Sequence, residues 1–235
     1  MLKELFEESY REYNDYMSKN VPEYWDHDGY KERRLQAECL INALNDRFNF
    51  EQLITLETGV SQSLADGLFG VFLGMVTEKT NGRMIAVDTN ENFVRKSQDL
   101  FTAVMPNLKY LSVHSDSVEY LKTLDIVPNF VHLDSMDLNL KSPMPCALQG
   151  WREFVEVESK MPSGSIIMLD DNYRDGGWVN WNYTDGRVEK IVHQYPMIGK
   201  GSLVYHWVTD GRSDWELIGD HYNLFNNIKI IIQKK

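Results

Sequence analysis

The chain has almost no cysteine. Cys39 and Cys146 are the only two among 235 residues, far apart and in no Cys-x-x-Cys arrangement. That excludes zinc and thiol-redox motifs and a disulfide scaffold, and makes a reducing, cytoplasmic setting the expectation. Positive charge is short as well: 24 Lys+Arg stand against 35 Asp+Glu, a net charge of −11. Nucleic-acid grooves and anionic membrane surfaces require the opposite balance, so neither partner is expected. No apolar run approaches the roughly 20 residues of a membrane span. Acid arrives at Glu4, too early for a secretory leader. Repeats and low-complexity tracts are absent. So is the Gly-x-Gly-x-x-Gly of dinucleotide sites, where pyrophosphate must press on bare backbone.

What is present is ordinary in bulk. Hydrophobic residues make up 43% and charged residues 25%, as in soluble globular proteins. The length suits a single domain over 1–235. Residues 1–50 read as a helical extension. It has an amphipathic, polar-rich helix over 5–17, a break at 22–28, and a second helix from about 30 to 44 that Asp28 could cap. From residue 53 the pattern alternates. Strands are expected at 53–57, 84–88, 108–113, 130–133 and 166–169, and helices at 63–76, 91–104, 118–124 and 151–160. In the tail, 201–208 is either helix or strand. Residues 215–225 and 228–232 read as a hairpin about Asn226-Asn227. Such alternation implies an α/β fold: a Rossmann-like doubly wound sheet, mostly parallel, with an antiparallel C-terminal strand and added N-terminal helices.

Acids end four of the five successive strands. Asn-Phe-Val-His-Leu-Asp134 and Gly-Ser-Ile-Ile-Met-Leu-Asp170-Asp171 are the two most informative runs. Both deliver carboxylate to the sheet edge where open α/β folds bind ligands. Three carboxylates converging there need a compensating cation, and hard oxygen ligands select magnesium or a similar divalent ion. On the other half of the edge, Leu56-Glu57-Thr-Gly59-Val-Ser61-Gln-Ser63 joins the first strand to its helix. A cofactor without pyrophosphate tolerates those serines. Asp88, ending the second strand, can accept both ribose hydroxyls of an adenosyl group, and Asp116 can accept from an adenine amino group. Each acid also has a plainer reading. Glu57 and Asp88 could cap the helices that follow, and Asp116 could start a turn.

Taken together, these motifs resemble the class I S-adenosylmethionine-dependent methyltransferases, over residues 53 to about 172. Within that superfamily the chain is similar to the metal-dependent O-methyltransferases of the catechol and macrocin types. The resemblance implies S-adenosylmethionine bound by Glu57, Gly59, Ser61, Ser63, Asp88, Asp116 and Asp134. It also implies a divalent metal, such as Mg2+, on Asp134, Asp170 and Asp171. The Asp-Asp pair follows the macrocin type. The pattern is broken in two places. The catechol enzymes carry a lysine base three residues after the first metal ligand, where this chain has Asp137. The macrocin type has an aspartate two residues after it, where this chain has Met136.

Methyl transfer from a sulfonium is an in-line displacement that needs an aligned, deprotonated acceptor. Asp137 is the candidate base, and a solvated loop carboxylate is its alternative role. The aromatic-rich stretch near 173–186 could form a substrate lid, with Trp178, Trp181 and Tyr183 stacking on a sugar or aromatic ring. Gly199-Lys200-Gly201 is a tight turn carrying a cation, too little for a phosphate loop. His132 reads as a core histidine. The expected partner is a small hydroxylated acceptor (a sugar, natural product or catechol-like molecule), with homo-oligomerisation left open. A metal-independent methyltransferase, a nicotinamide-dependent oxidoreductase and a non-catalytic adenosyl-binding module are the alternatives.

Overall fold

The computed structural model describes residues 2–22, 28–63, 68–174, 179–182, 188–191, 197–211, 213–222 and 227–235. Two helices open the chain, α1 (Leu2–Asn20) and α2 (Asp28–Ala43). The alternating part follows as β1 (Ile54–Thr58), α3 (Leu68–Lys79), β2 (Arg83–Asp88), α4 (Glu91–Val104), β3 (Lys109–His114), α5 (Ser117–Lys122), β4 (Phe130–Leu133), α6 (Met144–Glu158) and β5 (Ile166–Arg174). The tail contains β6 (Val179–Asn182), β7 (Val188–Ile191), β8 (Met197–Gly199), α7 (Ser202–Thr209), β9 (Trp215–Tyr222) and β10 (Asn227–Lys234).

The strand order is β3-β2-β1-β4-β5-β10-β9, with β8 also paired to β5. β1 to β5 run parallel, and β10 runs antiparallel to both β5 and β9. This is the mostly parallel, doubly wound sheet with an antiparallel C-terminal strand. The ambiguous 201–208 segment is helical. β6 and β7 form a separate antiparallel ribbon. β6 falls within the stretch near 173–186 expected to be a lid and β7 lies beyond it, while Trp178 and Tyr183 lie outside the described residues.

Core residues fill both faces of the sheet. On one face α1, α2 and α3 pack together. α1 buries Leu2, Phe6, Ser9, Tyr13 and Met17, spaced by three or four residues as a helix stripe requires. Phe6 and Tyr13 meet Phe72 of α3 with centroids 6.0 and 5.8 Å apart. The N-terminal helices are therefore part of one core with Phe130, Ile166, Met168 and Ile231 of the sheet. On the other face α6 and α7 cover Val131, Leu133, Ile167, Leu169 and Ile230. Among the described residues no helix is long and apolar enough to cross a membrane.

Two boundaries depart from expectation for clear reasons. α6 starts seven residues before the expected 151, with a proline in its first turn. Pro143 and Pro145 look like breakers, yet a first helical turn needs no amide hydrogen from proline. β5 runs past 169 to Arg174 because β8 pairs with Asn172, Tyr173 and Arg174 beyond the end of β4.

Candidate active site

Four adjacent strands carry polar side chains in a buried row. Glu57 on β1 is the register partner of His132 on β4, and Asp170 on β5 and Lys229 on β10 continue the row. His132 Nδ1 lies 2.8 Å from Glu57 Oε1. The imidazole edge rests on Phe69, centroids 4.9 Å apart. Asp170 is ion-paired with Lys229 and accepts from Gln36 Nε2 of α2 at 2.9 Å. Its own chain adds the Asp171 amide at 2.6 Å.

Adjacent strand residues should point to opposite faces, and here a bulge modifies that rule. Ile228 of β10 faces Asn172 while Ile230 faces Leu169. Asp170 and Asp171 together therefore oppose Lys229 alone. Asp171 has φ +50, a left-handed conformation uncommon outside glycine. The extra residue leaves Asp170 with Gln36 and Lys229, and turns Asp171 toward Lys200. Asn172 ties the bulge down. Its Nδ2 donates to the carbonyls of Leu169, Asp170 and Ile228 at 3.0, 2.9 and 3.3 Å. Its Oδ1 accepts from the Gly201 amide at 2.6 Å.

That last bond positions Lys200, which sits in the turn between β8 and α7 and is 1% exposed. Its Nζ donates to Asp134 Oδ1 and, at 3.0 Å, to Asp171 Oδ2. Burial would lower its pKa, but the Asp134 and Asp171 carboxylates outweigh that and raise it. Lys200 is therefore an ammonium at neutral pH.

Above these groups lies a cleft of about 460 Å³. Glu57, Gly59, Ser61, Asp88, His132, Asp134, Asp137 and Asp171 line it, with Phe69 and Phe93. Gly59 has φ +86, and a Cβ there would stand 2.5 Å from the Asp134 carbonyl oxygen. Only glycine lets the β1 loop lie so close to the exit of β4. Asp88 Oδ1 accepts from the Asn90 amide at 2.7 Å. Glu57 Oε2 is buried and finds no hydrogen-bond partner among the described residues. A buried carboxylate oxygen left so is costly, and a donor or cation entering the cleft would relieve that cost.

The structure thus gathers Glu57, Gly59, Ser61, Asp88, Asp134, Asp137 and Asp171 around one cleft. Ser63 and Asp116 lie outside its lining and are exposed. Asp116 caps α5, accepting from the Glu119 amide at 3.1 Å. Asp170 is buried and does not line the cleft. The residues that sequence reasoning left without a role are Gln36, Glu153, Lys200 and Lys229. Lys229 had a signal, since a charge inside the run Ile-Lys-Ile-Ile-Ile must be paired when buried.

The expected divalent cation can now be tested against its ligands. Of the expected ligands Asp134, Asp170 and Asp171, the first two bring a ligand atom to within 4.8 Å of each other, and the third member of that group is His132 and not Asp171. Lys200 already ion-pairs with Asp134 and Asp171 and Lys229 with Asp170, so two ammoniums stand against these three carboxylates. A divalent ion sharing a carboxylate with an ammonium would stand roughly 4 Å from it. The repulsion is about 8 kcal/mol at an effective dielectric near 20. As arranged, these side chains fit two lysine ammoniums and do not fit a metal in addition, so no step below passes through one.

The sheet and its flanking helices form the Rossmann-like fold of class I methyltransferases. Solved structures share it at low sequence identity. The O-methyltransferase from Bacillus cereus in complex with SAH is 12% identical over 94% of this chain and 96% of that one, with a TM-score of 0.56. A putative rRNA methylase from Clostridium thermocellum is 12% identical over 85% of this chain and 94% of that one, with a TM-score of 0.54. TrmN from Thermus thermophilus is 10% identical over 78% of this chain, which spans only 44% of it, with a TM-score of 0.51. No family model and no curated protein matches the sequence.

Proposed function

We propose that the protein is an S-adenosylmethionine-dependent methyltransferase that methylates a hydroxyl of a small acceptor. The observation that carries this reading is the unpartnered Glu57 Oε2 in the cleft wall beside Gly59, with Asp88 on the next strand. An S-adenosylmethionine ammonium would satisfy Glu57. Asp88 would accept from the ribose hydroxyls, Ser61 would bond the amino-acid end, and Asp134 would face the sulfonium. The acidic lining suits a ligand that brings positive charge. When bound, the ligand supplies an electrophilic methyl whose S–C bond breaks as the acceptor's O–C bond forms.

The chain's own residues then have three tasks. Gly59 and Glu57 fix the donor's position, which sets the in-line distance to the acceptor oxygen. Asp137, exposed on the cleft rim, takes the hydroxyl proton. Lys200 holds Asp134 and Asp171 at fixed positions beside the reacting atoms. The net charge of −11 favours a small acceptor over RNA.

S-Adenosylhomocysteine binding tests the reading. At one hundred times its Kd a ligand adds about 2.7 kcal/mol of stability, or roughly 5–10 °C for a chain of this size. Asp88→Ala and Glu57→Gln should each remove most of that shift while remaining folded. No shift of the wild type at millimolar ligand would reject the proposal, and a shift with NADH instead would favour an oxidoreductase.

A further inference from the structure

We infer that Lys200 is the resident cation of this site, and that its ammonium, in place of a divalent metal, bridges Asp134 and Asp171. Three fixed features hold it there. The first is the turn itself, whose Gly199 has φ +118 and pairs with Asn172 of β5. The second is the Gly201 amide bonded to Asn172 Oδ1 at 2.6 Å. The third is α6, whose Gly150 presses on the Lys200 carbonyl so closely that a Cβ there would overlap it. The backbone therefore delivers Lys200 to one place, and its 1% exposure leaves the side chain no solvent route at that place. An ammonium has three donors and one charge, enough to bridge two carboxylates. Asp134 and Asp171 are each about a third exposed, at 29% and 30% of the side chain. On this assignment the protein needs no metal cofactor, and chelation leaves it unchanged. The inference rests on the Asp134–Lys200–Asp171 geometry and stands apart from methyl transfer.

Manganese serves as the probe, because it replaces magnesium on hard oxygen ligands and is counted directly by electron paramagnetic resonance. The full-length wild type, titrated with Mn2+ up to millimolar, should leave all of it free. Lys200→Met removes this ammonium without adding charge, and should bind one Mn2+ per chain that Mg2+ displaces. Saturable Mn2+ binding by the wild type, lost in Asp171→Asn, would overturn the inference. That titration decides the matter whether or not Lys200→Met folds. A folded Lys200→Met that binds no Mn2+ would also overturn it, because Lys200 would then not be filling a cation site. S-Adenosylhomocysteine thermal shifts on the same samples report separately on the methyltransferase reading.

Discussion

At the level of single residues, the carboxylates were legible and their partners were not. Glu57, Asp88, Asp134, Asp170 and Asp171 announce themselves because acid recurs at strand ends, and Gly59 because it follows one. Lys200 lies 66 residues beyond Asp134 and 29 beyond Asp171 in the chain. No local pattern carries such a contact; only the pairing of β8 with β5 creates it. The need for positive charge was readable, whereas its source was not. Gly59 offers the sharpest test at this scale. Alanine there must adopt φ +86 and push against the Asp134 carbonyl. Backbone strain of this kind costs about 1–3 kcal/mol. Gly59→Ala should lower the melting temperature by several degrees and also abolish the S-adenosylhomocysteine shift, since the same overlap moves Asp134. Loss of stability with the ligand shift intact would mean that Gly59 shapes the fold and not the cleft.

At the level of elements, strand cores were easier to locate than ends. β4 occupies 130–133 as expected, because Phe130, Val131 and Leu133 between turn signals leave little choice. β5 extends five residues further than its apolar run. The extension depends on a bulge and on β8, both tertiary features with no period in the sequence. α6 illustrates a different case, where a helix face is set by what it must let through. Gly150 and Gly74 are both helical glycines, and alanine in a helix ordinarily gains up to about 1 kcal/mol. The new methyl at Gly74 would meet the tip of Met105 and the Phe101 ring, side chains that can shift. At Gly150 it would meet the Lys200 backbone, which Asn172 holds in place. Overpacking against a fixed neighbour costs about 1–3 kcal/mol. Gly150→Ala should therefore lower the urea midpoint clearly, and Gly74→Ala should change it much less. Equal midpoints would show that the turn carrying Lys200 yields freely, which would weaken its role as a fixed cation.

At the level of the whole molecule, the alternation of strands and helices was enough to foresee the sheet and its reversed last strand. The N-terminal extension packs over the sheet, with α1 and α2 sharing its core. Their polar-rich faces read as an extension, and Phe6, Tyr13 and Met17 anchor α1 to the sheet layer and Gln36 of α2 reaches Asp170. Stability at this scale carries a pH signature from Glu153 on α6. Its side chain is fully buried, bonded by Ser117, by Thr58 at 3.3 Å and by Gln149 at 3.3 Å. Burial pushes its pKa up from the ordinary 4.5, against the pull of those hydrogen bonds. The folded protein thus holds a proton here that the unfolded chain releases above about pH 4.5. With more protons bound in the native state, stability falls as pH rises from that point to the folded-state pKa, by up to about 1.4 kcal/mol per pH unit. Below pH 4.5 both states are protonated and the contribution is whole. Glu153→Gln keeps the shape without a titrating proton. The difference in unfolding free energy between Glu153→Gln and wild type, from urea titrations at each pH, should be smallest near pH 4 and grow in favour of the variant toward pH 7. A difference that stays flat over this range would mean that Glu153 is ionised in the folded protein, with Lys200 or another cation meeting its charge.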